Sequence, residues 1–179
     1  AGMRSLGEKK LKKMHRILSG IWNDVLDYVR RYRVYISAWF LLGVMIYFPI
    51  ITQPLTNADG ITISLTHKSS HGWENSLGRF GLQYVDRLRG NFIFPELTTF
   101  FCLFLLACIS GLVIEIFHIS SKAARAAVGV ILILSPSVAN TLTYYYCSDS
   151  YMLAYLLAVL SAFLLLNRTG IVSWGAAAV

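Results

Sequence analysis

The chain has 179 residues, of which 56% are hydrophobic and 14% charged, and its formal net charge is +7. An ordinary globular chain has about a quarter of its residues charged, and no soluble domain of this length could bury so much apolar surface. The composition therefore excludes a soluble domain and predicts a polytopic membrane protein.

The N-terminal segment, residues 1–33, contains most of the basic side chains. Apolar residues recur there at steps of three and four from Leu11 to Tyr32, which predicts an amphipathic helix with Trp22 at its apolar edge. A basic segment before a span is expected at an anionic cytoplasmic leaflet, so the predicted partner is membrane lipid and not nucleic acid. We expect the helix to lie in the headgroup plane, and docking against another protein is the alternative.

Four apolar runs predict membrane spans at 34–51, 93–118, 126–142 and 150–166. A helix satisfies its own backbone in lipid, whereas an open sheet would not. The predicted fold class is therefore all-α: a polytopic transmembrane helical bundle with amphipathic interfacial helices. Residues 171–179 are apolar again and are expected to begin a truncated fifth span, so that the chain would be a fragment of a longer protein and inactive alone.

Two features interrupt these spans. The segment Ser135-Pro136-Ser137 predicts a kinked or re-entrant third span, because proline breaks the helical hydrogen-bond ladder. The first span is expected to end at Phe48-Pro49 for the same reason.

The loop 52–92 is predicted to be extracytoplasmic, because the positive-inside rule places the basic N-terminus, Lys122 and Arg125 in the cytoplasm. Within it, an interfacial helix is predicted at 73–89. One face of that helix would carry Trp73, Leu77, Phe80, Tyr84 and Leu88, and the other Arg79, Gln83, Asp86 and Arg87.

The candidate catalytic and phosphate-binding residues are concentrated in this loop. Asp59 lies just past the first span in Asn57-Ala58-Asp59-Gly60, where a carboxylate could be a general base or could only close a turn. Arg79 and Arg87 could stabilise a departing phosphate or could only snorkel. His67 and His71 lie in a Ser/Gly-rich segment, and the three cysteines lack ligand spacing, so no metal site is predicted.

Three sequence elements carry a family resemblance. The first is Trp73 to Phe80 (WENSLGRF), which continues to Leu88-Arg89-Gly90-Asn91 and Pro95, and the others are Leu134 to Thr141 (LSPSVANT) and Cys147 to Ala154 (CSDSYMLA). With them the chain resembles the N-terminal portion of the GtrII-type bacterial polytopic glucosyltransferases, which belong to the GT-C class. The resemblance implies transfer of a glucosyl group from a polyprenyl-phosphate donor to a cell-surface polysaccharide. It also implies a multi-pass protein of the bacterial cytoplasmic membrane that acts at the outer face.

The same resemblance implies roles for individual residues. Asp59 matches the catalytic aspartate of the first outer loop, Arg79 matches a Gly-Arg element, and Asp149 matches the acid that opens the fourth span. We expect Arg79 and Arg87 to bind the donor phosphate, with Asp86 and Asp149 as secondary acidic candidates. The family often has adjacent acids in the first loop, whereas Gly60 follows Asp59 here, which leaves dependence on a divalent cation open.

The alternative is a non-enzymatic membrane module, such as a transporter or flippase fragment or a small assembly subunit. A transporter would place ionisable groups near the bilayer midplane, in helices interrupted in two repeated halves. Here the charges lie at the predicted interfaces and no internal repeat is present, which favours the glycosyltransferase.

Overall fold

The computed structural model describes residues 2–53, 58–61, 72–90 and 94–167. Within these ranges all the regular structure is helical, as the predicted all-α class requires. A single helical turn is present at 58–61. The helices are α1 (Gly2–Ile46), α2 (Phe48–Thr52), α3 (Gly72–Ser76), α4 (Gly81–Leu88), α5 (Pro95–Ile116), α6 (Lys122–Ile133), α7 (Pro136–Leu142) and α8 (Ser148–Asn167).

The chain divides into two compact units, Ala1–Val34 and Tyr35–Val179. In the first, the backbone of the predicted amphipathic helix is helical, but the side chains of 2–22, including Trp22, lie outside the described part. Beyond that point, the rings of Tyr28 and Tyr32 lie 5.3 Å apart. The proposed fifth-span segment 171–179, His67, His71 and the side chain of Trp73 also fall outside the described residues.

The core of the second unit surrounds α5. This helix packs most extensively against α8 and also contacts α6 and α2, and 67% of its apolar window is buried inside the protein, against 17% for α8. Its fully buried side chains include Leu103, Leu106 and Ile109. Because lipid tails are as apolar as leucine, these contacts stabilise the bundle through close packing more than through transfer from water.

Close packing is visible where glycines face large side chains. A Cβ atom built on Gly129 of α6 would lie 2.2 Å from the Trp39 ring, and one on Gly43 would lie 3.0 Å from Leu103. The Trp39 indole also donates a 3.3 Å hydrogen bond to the Ala126 carbonyl. Small residues therefore set the distance between α6 and the end of α1, as is common between membrane helices.

Two helices are long and apolar enough to cross a membrane, Pro95–Ile116 and Ser148–Leu166, and the bent pair α6–α7 makes a third if it is one span. The structure thus supports two or three spans among the described residues, and the predicted count of four is not confirmed. In the region 34–51, α1 ends at Ile46 and α2 begins at Phe48 with Pro49 in its first turn. The apolar stretch inside one helix is therefore shorter than the roughly 17 residues that a span needs.

The predicted interruption at Ser135-Pro136 is present. α6 and α7 meet there at an angle of 45°, and Pro136 begins α7. The bend removes the helical partner of the Ile133 carbonyl, which instead accepts a 2.6 Å hydrogen bond from the Tyr47 hydroxyl. A buried carbonyl without a partner would cost about 1–3 kcal/mol, so Tyr47 stabilises the bend.

The helix predicted at 73–89 is instead two helices, α3 and α4, with a turn at Leu77–Phe80 between them. Gly78 in that turn has φ +77°, a conformation that glycine adopts without strain and that ends a right-handed helix. The two halves of the apolar face are therefore not continuous. Phe80 in the turn and Tyr84 and Leu88 on α4 are exposed, whereas Leu82 is buried on the side that faces α8.

Candidate functional site at the start of α8

Arg89, the residue that follows α4, joins three parts of the chain. Its guanidinium donates a 2.9 Å hydrogen bond to Asp149 in the first turn of α8 and one to Asp86 on α4. It also donates to the backbone carbonyl of Tyr146 at 2.9 Å. We call Arg89, Asp86 and Asp149 the acid–arginine cluster, and the segment Thr143–Cys147 between α7 and α8 the tyrosine loop.

The acid–arginine cluster is largely shielded from water. The side chains of Arg89, Asp86 and Asp149 are 16%, 17% and 8% exposed. Removing one partner from a buried ion pair costs about 3–5 kcal/mol, because the other charge is left without compensation. The two carboxylates against one guanidinium give the cluster a formal charge of −1, and the Arg89 Nε is buried without a hydrogen-bond partner.

Asp149 is also held by the beginning of its own helix. Its Oδ1 accepts a 2.9 Å hydrogen bond from the Ser150 backbone N–H, and a negative charge in the first turn interacts favourably with the helix dipole. Directly before it, Ser148 lies 3.5 Å from the Cys102 thiol of α5. The start of α8 is thereby fixed against both α4 and α5.

Asp59 lies in a segment that is hydrogen-bonded to the tyrosine loop. It is exposed, in the helical turn 58–61, and the next residue, Gly60, accepts a 3.2 Å hydrogen bond from the Tyr145 hydroxyl. Burial raises the pKa of Tyr146, and the charges of Cys147 and then Asp59 raise it further. Asp59 is therefore close enough to act electrostatically on the loop whose carbonyl is bound by Arg89.

Arg79 lies in the turn before α4 and is exposed, and it donates a 3.3 Å hydrogen bond to the Tyr151 hydroxyl on α8. It lines a groove of about 360 Å³ between α4 and α8, which also includes Ser150. Arg87 is exposed in the last turn of α4 and is not part of the lining of that groove. The two arginines predicted to share one role thus occupy different surroundings.

Cys147 ends the tyrosine loop as a buried thiol. Burial raises its pKa from 9.0 to about 12, although a hydrogen bond with Tyr151 opposes the shift. At neutral pH the group is therefore a thiol and not the nucleophilic thiolate. Its place between Tyr146 and Asp149 gives it a packing role.

The acid–arginine cluster does not fit a divalent cation. Asp86 and Asp149, the two secondary acidic candidates, both contact the Arg89 guanidinium, which would repel a metal ion at the same oxygens. Within the described ranges, no three His, Cys, Asp or Glu side chains gather in a metal-binding arrangement.

Sequence reasoning counted Arg89 among the charged groups of the predicted outer loop but assigned it no role. Its partner Asp149 is 60 residues away, and only the three-residue spacing from Asp86 hinted at an ion pair along one helix face. The candidates Asp59, Asp86, Asp149 and Arg79 all lie around the start of α8 or on the segments attached to it, whereas Arg87 is exposed and is not part of the groove lining.

No curated protein and no solved structure matches the chain. The family model of the glucosyl transferase GtrII matches residues 48–179. This match covers the larger part of the chain, from α2 through the acid–arginine cluster to the end, and the chain therefore belongs to the GtrII glucosyl transferase family.

Proposed function

We propose that the protein is a membrane glucosyltransferase that moves a glucosyl group from a polyprenyl-phosphate donor to a cell-surface polysaccharide. The reaction takes place at the outer face of the bacterial cytoplasmic membrane, and the N-terminus is cytoplasmic. Family membership supports the glucosyl transfer, and the apolar helices of spanning length support the membrane location.

The observation that supports the mechanism is that Arg79, the acid–arginine cluster and the segment containing Asp59 all contact the start of α8 or the tyrosine loop before it. Three separate segments supply these groups: the turn 58–61, the residues from Arg79 to Arg89, and the beginning of α8. Glycosyl transfer from a lipid phosphate needs a base for the acceptor and cations for the leaving group. Both kinds of group are present in this region.

Asp59 is the general base of the proposed mechanism. Its carboxylate removes a proton from an acceptor hydroxyl as that oxygen attacks the anomeric carbon of the glucosyl group. The bond between the anomeric carbon and the phosphate oxygen breaks, and the electron pair leaves with the phosphate. Arg79 and Arg87 then stabilise the charge on the departing polyprenyl phosphate. The exposure of Asp59 leaves it accessible to an acceptor.

The outward orientation rests on charge. Lys122 and Arg125 follow the far end of α5, whereas Arg89 and the tyrosine loop lie near its beginning at Pro95 and near the beginning of α8. Basic residues between spans favour the cytoplasmic side. The cluster then belongs to the opposite, outer side, where a polysaccharide acceptor is available.

The test compares Asp59→Asn with Asp27→Asn, which changes an exposed acid that pairs with Arg30 in the N-terminal unit. Membranes containing each variant, made in the full-length protein, are incubated with radiolabelled polyprenyl-phosphate glucose, and label in polysaccharide is counted. Loss of a general base should lower the rate by about 10²-fold or more, while Asp27→Asn keeps the wild-type rate. Equal transfer by Asp59→Asn and wild type, at equal membrane insertion, would refute the role of Asp59.

A further inference from the structure

The groove between α4 and α8 has two chemically different ends. Along most of its length the walls are apolar side chains, Leu82, Tyr84 and Val85 on α4 and Leu153, Ala154 and Leu157 on α8. Several of these side chains are exposed, so the groove is open at its side. From Ser150 to Leu157 it follows about 10 Å of helix.

At the end nearest the tyrosine loop, the groove has polar groups. Arg79 lines it there, next to Tyr151. Ser150 is 8% exposed, and its hydroxyl oxygen is buried without a hydrogen-bond partner. A buried hydroxyl without a partner is unfavourable, because it has lost its hydrogen bonds to water. A cation and an unpaired hydroxyl at one end of an apolar groove are complementary to an anionic head with a hydrocarbon tail.

We infer that this groove holds the prenyl chain of the lipid donor, with its phosphate between Arg79 and Ser150. The inference rests on the proposed function and assigns a place to its donor. The sugar is not placed along the groove, because the side chains that line it beyond Arg79 and Ser150 are mainly apolar and offer few partners to sugar hydroxyls. With the phosphate at the polar end, the glucosyl group projects toward the tyrosine loop, which holds the segment containing Asp59.

The geometry also separates the two arginines. Arg79 contacts the phosphate from within the groove, whereas Arg87 lies outside it and acts on the same charge only from a distance. Ser150 donates its hydroxyl hydrogen to a phosphate oxygen, and this bond satisfies the hydroxyl that has no partner within the protein.

The test is photolabelling of the protein in phosphatidylcholine nanodiscs with a polyprenyl monophosphate that carries a diazirine on its second isoprene unit. Adducts are expected in the peptides that contain 81–85 and 153–157. Ala154→Phe fills the groove and should lower this labelling about tenfold, equivalent to about 1.4 kcal/mol. Ala162→Phe makes the same change at an exposed position two turns further along α8, outside the groove lining, and should leave labelling unchanged.

Competition experiments show whether the groove recognises the phosphate, the prenyl chain or both. Unlabelled polyprenyl phosphate should displace the probe, and phosphatidate, which has two acyl chains, should not. Polyprenol, which lacks the phosphate, should displace the probe less well than polyprenyl phosphate. In Arg79→Gln or Ser150→Ala the two competitors should displace the probe more equally. Adducts located elsewhere, equal competition by phosphatidate, or full labelling of Ala154→Phe would each overturn the groove assignment.

The transfer assay distinguishes this failure from failure of the proposed function. Glucosyl transfer that proceeds equally in wild type and Ala154→Phe shows that the groove is the wrong place for the donor, although the enzyme is correctly assigned. Groove labelling without transfer from any lipid-linked glucose supports the groove and refutes the enzyme.

Discussion

Arg89 and Asp149 form a 2.9 Å ion pair between the end of α4 and the beginning of α8. The same guanidinium binds the Tyr146 carbonyl, so one side chain connects α4, the tyrosine loop and α8. Arginine suits this position because its planar fork supplies several donors in fixed directions. The relation makes Arg89 the residue on which the geometry of the candidate site depends most.

Replacing Arg89 should therefore destabilise the protein. Arg89→Gln leaves two carboxylates buried without a cation and should lower the free energy of unfolding by about 3–5 kcal/mol. Arg87→Gln removes an exposed guanidinium two residues earlier and should change stability by less than about 0.5 kcal/mol. Thermal unfolding of both variants in detergent measures the difference, and equal midpoints would show that the cluster contributes little to stability.

Tyr145→Phe should affect catalysis more than folding. The variant keeps the buried ring but loses the hydrogen bond to Gly60 that holds the segment containing Asp59. Stability should fall by about 1 kcal/mol, the usual net value of one hydrogen bond, while kcat falls and KM for the lipid donor stays the same. Tyr155→Phe, on an exposed face of α8, serves as the control. A larger effect on KM than on kcat would contradict a role in positioning Asp59.

Gly129→Ala should loosen the contact between α6 and the end of α1. The new methyl group would meet the Trp39 ring, and overpacking of this kind costs about 1–3 kcal/mol. Gly72→Ala meets no atom within 4 Å and should be neutral or slightly stabilising. If both variants unfold at the same temperature, the close approach of Trp39 is not important for stability.

Stability should decline with alkaline pH partly because of Cys147. Its folded-state pKa is raised from 9.0 to about 12, so the folded protein retains a proton that the unfolded chain loses. The contribution is complete below pH 9 and is lost as pH rises toward 12. Cys147→Ala should therefore show a shallower fall of the unfolding midpoint over this interval. Parallel curves for the variant and wild type would contradict the shift.

The sequence predicted those features that depend on local pattern. Apolar length identified α5 and α8, and Ser135-Pro136 predicted the break between α6 and α7, because a missing N–H has the same effect in any fold. The break at Gly78 was missed, since apolar spacing continued across it at helical steps. A positive φ at a glycine cannot be seen from the periodicity of its neighbours.

The site shows the same division. Asp59, Asp86, Asp149 and Arg79 could be selected because they lie in or beside a predicted outer loop. Their hydrogen-bond partners could not be predicted in this way, because Arg89 and Asp149 are 60 residues apart in the sequence and Tyr145 and Gly60 are 85 residues apart. Asp86 and Asp149, the two secondary acidic candidates, are both bound by that arginine, which only the packing of α4 on α8 brings between them.

The hydrogen bond from Tyr47 to Ile133 has a consequence for handling the protein. The carbonyl released at the 45° bend is already occupied by a phenol from the same chain. Neither a trapped solvent molecule nor an adjacent subunit is needed to keep α6 and α7 at their angle. We therefore expect the angle between α6 and α7 to be the same in detergent micelles as in the membrane.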